Sequence, residues 1–213
     1  MIDTWVRFFQ DGGIFMWPLL ACAILGLVII AWKLSSLTST SSRTKALLED
    51  VDELIADRRL EDAKARCRES DTPVAQILLA GLDKHQEGTE RVLTAIENEG
   101  MIQMSRLESG LVWLATIANV APLLGFLGTV AGMIIAFGAI ELAGEVDATL
   151  VAGGIKVALI TTAAGLTIAI PVIIAHNYFV SKIDSMVIEM EETSQNLVET
   201  LHAMSREPAG NRA

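Results

Sequence analysis

An all-α integral membrane fold with three transmembrane helices is predicted for this 213-residue chain from three observations. Hydrophobic residues make up 52% of the chain and the mean hydropathy is +0.46. Three uncharged runs are each long enough to cross a bilayer, since about 20 residues at about 1.5 Å per residue span a ~30 Å hydrocarbon core. The charges collect between and after those runs, in stretches where apolar residues recur at helical spacing. Long helices extending into the cytoplasm and a large cytoplasmic helical loop complete the predicted architecture.

The first run is Gly12 to Trp32, bounded by Asp11 and Lys33, and predicts transmembrane helix 1 over 12–34 after an outer terminus of residues 1–11. A cleaved signal peptide is a poor alternative. The run exceeds a 7–15 residue apolar region, is preceded by Asp3 and Asp11, and is followed by Trp32-Lys33 instead of a small-residue cleavage site. The Ser/Thr-rich stretch 35–42 marks emergence into water, and residues 35–110 form the helical loop. Within it Leu47, Leu48, Val51, Leu54 and Ile55 give an amphipathic helix from Arg43 to about Ser70. Asp71-Thr72-Pro73 reads as a break and restart, because Thr caps and Pro suits a first turn. Val74, Ile77, Leu78 and Leu82 then form a short apolar face. Another helix begins near Thr89 and is predicted to run without a stop into the second span.

That second run, Ser109 to Ile140, predicts transmembrane helix 2 over 111–140. Its length corresponds to roughly 48 Å of helix, so it either projects beyond the bilayer or bends at Pro122. A short acidic connection, 141–153, precedes transmembrane helix 3 over 154–177, which contains Pro171. Residues 178–213 continue as a helix and tail. Ile183, Met186, Met190, Thr193 and Leu197 form a seam that requires another helix to bury it, from the loop or from a second subunit.

Basic residues set the orientation. Lys33, Arg43, Lys45, Arg106 and Lys182 flank the inner ends, whereas 141–153 carries three acids and no Lys or Arg. The amino terminus therefore lies outside, and the loop and carboxyl terminus inside.

Spans two and three carry the candidate functional residues. Ala121, Gly125, Gly128, Gly132, Ala136 and Ala139 form a smooth ridge on span two, and Ala158, Thr162, Gly165 and Ala169 do the same on span three. Close approach through small residues is how helices pack where lipid removes the hydrophobic gain. Both helices are expected to touch other helices, and a monomer is an unexpected destination. Thr129 and Thr162 neighbour these faces, with Thr161 beside them. A buried Thr often bonds only its own i−4 carbonyl, so the alternative to a wet path is simple backbone capping. Lys156 lies a turn or two inside the outer end of span three. It either snorkels or pairs with Glu141, Glu145 or Asp147, a charge at a path mouth. Asn119 and His176 are read as interfacial.

Several function classes are excluded. The net charge of −10, with basic residues interleaved among acids, argues against nucleic acid. The three histidines are scattered, no nucleophile–base pair occurs at helical spacing, and no metal-ligand or cofactor motif is found. Gly125-Phe-Leu-Gly128-Thr129 lacks the Gly-Lys-Ser/Thr ending of a phosphate loop. Cys22 and Cys67 lie in very different surroundings and suggest no disulfide. The spans contain no Asp or Glu near their middles, so any mid-membrane proton carrier must come from another polypeptide.

The segment from Ala121-Pro122 through Gly125, Gly128-Thr129 and Gly132 resembles the second-span signature of the MotA/TolQ/ExbB proton-channel family. Ala158 through Thr161-Thr162, Gly165-Leu166 and Ala169-Ile170-Pro171 resembles the third, and Gly12-Gly13 to Trp17-Pro18 the start of span one. Three spans favour the ExbB/TolQ branch. The resemblance implies a homopentamer in the bacterial inner membrane, with segments 1–11 and 141–153 periplasmic. It further implies a pore holding a single-span ExbD/TolR-like partner that supplies an aspartate, and a TonB- or TolA-like transducer. Thr129 and Thr162 match the pore threonines. Val157 stands where some relatives carry Glu, and Trp32-Lys33 where many carry Glu-Arg. A passive oligomeric scaffold is the competing class.

Overall fold

The computed structural model describes residues 2–144 and 147–206. Among these, every regular element is helical: α1 (Ile2–Asp11), a 3₁₀ turn (Gly13–Phe15), α2 (Met16–Ala56), α3 (Leu60–Arg68), α4 (Pro73–Asp83), a second 3₁₀ turn (His85–Glu87), α5 (Thr89–Glu108), α6 (Leu111–Ala143) and α7 (Ala148–Arg206). Three helical stretches are long and apolar enough to cross a membrane, in the regions predicted for the three spans.

The chain divides into two compact units. The membrane unit combines the described residues of Met1–Lys33 with those of Gly110–Phe179. Its centre is Leu19 of α2, Ala121 of α6 and Ala169 of α7, with Met16, Leu124, Ala164 and Ile168 packed around them. Gly26 of α2 lies against Val172 and Ile117, so all three spans meet within one chain. Outward-facing side chains are large and apolar, among them Leu27, Phe126, Ile134, Leu159 and Ile174. A surface of this kind is stable only against lipid or another apolar surface.

α6 stays one helix through Pro122, and α7 stays one helix through Pro171. Both helices reach farther into the 141–153 connection than the sequence reading places them. Gly144, at φ +70°, ends α6 in the left-handed conformation, and its N–H donates to the Ile140 carbonyl at 3.0 Å.

The second unit comprises the described residues of Leu34–Ser109 and Val180–Ala213. The Ser/Thr stretch does not interrupt α2, because Thr38, Thr40 and Thr44 return their hydroxyls to carbonyls one turn back. The amphipathic helix ends earlier than predicted, at Ala56. There Arg58 N–H donates to Ile55 O and Arg59 N–H to Leu54 O, closing the helix in a Schellman arrangement with Arg58 at φ 59°. α4 begins as predicted, with Pro73 in the first turn and the Thr72 hydroxyl accepting from Ala75 N–H at 3.4 Å.

α5 does not run into the second span. It stops at Glu108, and Gly110 at φ +87° precedes α6. The continuous helix predicted from Thr89 is broken because Gly110 takes the left-handed conformation. The seam on α7 is buried inside the chain: Ile183, Met186, Met190 and Leu197 are all inaccessible, and Leu197 packs onto Gly81 of α4. Arg66 ties α3 to α2 through Asp50 at 2.7 Å, and Lys64 with Arg68 reaches Asp83 of α4 at 3.7 and 3.6 Å. Cys67 is fully buried, and burial pushes its thiol up to about 11. Both cysteines are free.

Candidate functional site

The glycine ridge of α6 lies along α7. A Cβ on Gly125 would stand 2.9 Å from Thr161 O and 3.1 Å from Thr162 Cα, and one on Gly165 would stand 2.6 Å from Ala121 O. Gly132 faces Gly154 and Ala158, and Gly154 in turn faces Ala136. The contacts therefore step antiparallel, from Ala121–Gly165 through Gly125–Thr162 and Gly128–Thr161 to Gly132–Ala158. This corrects one expectation. The small-residue face of span two is covered by span three of the same chain, so it is not by itself a surface for another subunit. Ala139, at the ridge's end, is only half-buried.

The three threonines fall into different surroundings. Thr161 is completely inaccessible, its side chain filling the space left by Gly128 and its hydroxyl donating to Val157 O and Ala158 O, both at 3.0 Å. Thr162 is half-buried at the edge of the same contact. Its hydroxyl reaches Ala158 O at 3.1 Å on its own helix and Gly125 O at 3.2 Å on α6. Thr129, also half-buried, donates to Phe126 O at 2.6 Å. The structure thus brings Thr161 and Thr162 together with the ridge, while Thr129 stands beside it without bonding either one.

A threonine hydroxyl has one proton and two lone pairs. At Thr129 and Thr162 the proton is committed to backbone carbonyls, which leaves lone pairs to accept. Such oxygens suit a protonated, neutral donor better than an anion. Pro122 is half-buried and Pro171 exposed, and neither approaches the hydroxyls through a hydrogen bond. Asn119 donates to Ala115 O at 2.8 Å, a local bond within its own helix.

Lys156 takes a partner the sequence reading did not weigh. Its ammonium lies 2.5 Å from the Asp11 carboxylate at the end of α1. Glu141 is not its partner, and Asp147 caps α7 by accepting from Thr149 N–H at 2.8 Å, which holds its carboxyl below the usual range. Glu145 lies outside the described residues. At 100° per residue, Lys156 and Thr162 are about 120° apart around α7, so the two point to different neighbours. The sequence places residues 1–11 outside as a terminus and gives Asp11 only as the boundary of the first uncharged run. The signal was there in the alternation of Val6, Phe8 and Phe9 with Arg7, Gln10 and Asp11.

The MotA/TolQ/ExbB proton channel family matches residues 69–192, which includes both threonine-bearing spans. A protein of Methanothermobacter thermautotrophicus named as an ExbB homologue in biopolymer transport is 30% identical over 189 residues, covering 88% of this chain and 67% of the relative. The ExbB-like 1 protein of Synechocystis is 33% identical over 181 residues, covering 81% and 69%. The biopolymer transport protein ExbB of Xanthomonas campestris is 38% identical over 113 residues, 53% of this chain and 44% of that protein. The match spans more than half of the sequence and falls on the helices that form the ridge, and the chain belongs to the MotA/TolQ/ExbB proton channel family.

Proposed function

We propose that this chain is the multi-span subunit of a proton-driven motor in a bacterial inner membrane. It would convert proton motive force into mechanical work for outer-membrane transport through a TonB-like partner. The observation that carries the reading is the state of Thr162: a hydroxyl at the seam of two apolar spans, its proton spent on Ala158 and Gly125 carbonyls and its lone pairs left to accept. The spans themselves offer no carboxyl, so a single-span ExbD/TolR-like protein supplies the carrier. Its neutral acid is the form that Thr129 and Thr162 receive. Each charge that crosses contributes about 2.3 kcal/mol per 100 mV, enough over a few steps to drive one ring against another.

In this reading Thr129 and Thr162 border the path. Thr161, Gly125, Gly128, Gly132 and Gly165 hold the helices at the spacing that presents them, and Pro122 and Pro171 shape the two spans. The orientation follows the basic residues: amino terminus and residues 141–153 in the periplasm, the 35–110 loop and carboxyl terminus in the cytoplasm. A TolQ-like role in envelope integrity uses the same parts with a TolA-like transducer. A passive scaffold uses none of the hydroxyls.

Replacing Thr162 with Val tests the reading, since it keeps the shape and removes the acceptor. The expected result is loss of proton uptake by vesicles holding the chain and its single-span partner, with the complex still co-purifying. Proton flux equal to that of the unmodified complex removes Thr162 from the path and favours the scaffold.

A further inference from the structure

Apolar and polar positions separate around α1. At 100° per residue Val6, Phe8 and Phe9 fall in one arc, and Arg7, Gln10 and Asp11 fall in the opposite one. Val6 and Phe8 are exposed, and Phe9 meets Trp17 edge to face with ring centroids 5.3 Å apart. Only residues 12–15 lie between α1 and α2, so the chain holds the end of α1 within roughly 18 Å of the start of a membrane-crossing helix. An open, mostly apolar cleft of about 530 Å³ lies there, lined by Val6, Phe9, Gln10, Gly13, Ile14 and Trp17. On the polar arc, Asp11 is paired with Lys156 in the first turns of the described α7. The neighbouring Gly12 packs against Ile160 of the same helix.

We infer that α1 is an interfacial anchor. It lies in the plane of the bilayer with Val6, Phe8 and Phe9 in the boundary between headgroups and acyl chains, at the leaflet where the first span begins. The Asp11–Lys156 ion pair clamps its end to the third span. Lipid is the occupant that the geometry favours. The tether and the Asp11–Lys156 pair hold the end of α1 beside the membrane-crossing helices, aromatic and aliphatic side chains with a single arginine on the opposite arc suit that depth, and one ten-residue helix offers far less than the ~1,000 Å² of a stable protein contact. The inference requires only that α2 and α7 cross the membrane. Its failure leaves the threonine path untouched, and loss of that path leaves the anchor standing.

The test is collision accessibility of nitroxide labels in vesicles of phosphatidylethanolamine and phosphatidylglycerol. The full chain carries Cys22→Ala and Cys67→Ala, with a single label introduced by Phe8→Cys or by Arg7→Cys. Oxygen is expected to outcompete a water-soluble nickel chelate at residue 8, with the preference reversed at residue 7. Nickel-favoured collisions at both positions overturn the anchor by placing α1 in water. Low access for both reagents at residue 8, with spin–spin broadening between labels, overturns it in favour of a second copy as the occupant. Lys156→Asp is expected to shift residue 8 toward nickel access, and adding Asp11→Lys to restore the original preference. An unchanged profile in Lys156→Asp overturns the clamp.

Discussion

At Gly128 the absent side chain is as informative as any present one, because the Thr161 side chain occupies the space where a Cβ would stand. Gly138, on the same helix, has nothing within 4 Å of that point. Gly128→Ala is therefore expected to destabilise the detergent-solubilised chain by about 1–3 kcal/mol, the usual cost of overpacking. Gly138→Ala should be neutral or stabilising by up to about 1 kcal/mol from helix propensity. Denaturant unfolding of both variants is the measurement, and equal stabilities would mean that α6 and α7 lie farther apart than here. Spacing by threes and fours made this ridge legible in the sequence, because small residues in that rhythm have no other use in lipid. Its partner was not legible, since periodicity identifies a face and not what covers it. The same limit separated Thr161 from Thr162. One residue of sequence is 100° of helix, enough to place one hydroxyl wholly inside the packing and the other at its edge.

Among the elements, caps with chemical signatures were readable and caps without them were not. Thr72-Pro73 announced the start of α4 because a hydroxyl acceptor and a donorless first turn have a sequence form. The end of α2 carried no such mark. Arg58 takes the left-handed conformation at φ 59°, where an L side chain costs roughly 1–2 kcal/mol, and backbone bonds to Ile55 and Leu54 carbonyls hold it there. The break before α6 is the converse: Gly110 takes φ +87° at little cost, yet a single glycine between two helical patterns reads as a continuation. Two substitutions should thus move in opposite directions. Arg58→Gly is expected to stabilise the chain by about 0.5–1 kcal/mol and Gly110→Ala to destabilise it by at least about 1 kcal/mol. Thermal unfolding followed by circular dichroism reads both. A stabilised Gly110→Ala chain with increased helicity would mean that α5 and α6 join as one helix, as the pattern alone suggests. α1 is not legible for a different reason: ten residues give less than three turns of periodicity, too few to single out a helix.

For the whole molecule, the question is what lies against the outer face of the spans. The small-residue contacts are spent inside the chain, so the argument from smoothness to oligomer does not carry. What remains outward on α6 is bulky, including Leu123, Phe126, Leu127, Ile134 and Phe137, and lipid can cover all of it. Assembly therefore rests on what a carrier needs. In the proposed motor the partner supplies the acid and stands where Thr129 and Thr162 can accept from it, and hydroxyls at the edge of a two-helix contact border a path only once several copies close a ring. Co-expression with the single-span partner, extraction from membranes and native mass spectrometry should give the mass of a pentamer of this chain holding a dimer of the partner. Thr162→Val should leave that mass unchanged, because its carbonyl bonds are a small part of the α6–α7 contact and the methyl replaces the hydroxyl in shape. A ring that forms without retaining any partner would return the hydroxyls to simple backbone bonding and the chain to a scaffold. A ring that retains the partner only when the hydroxyl is present would make acceptance at Thr162 part of assembly as well as of transport.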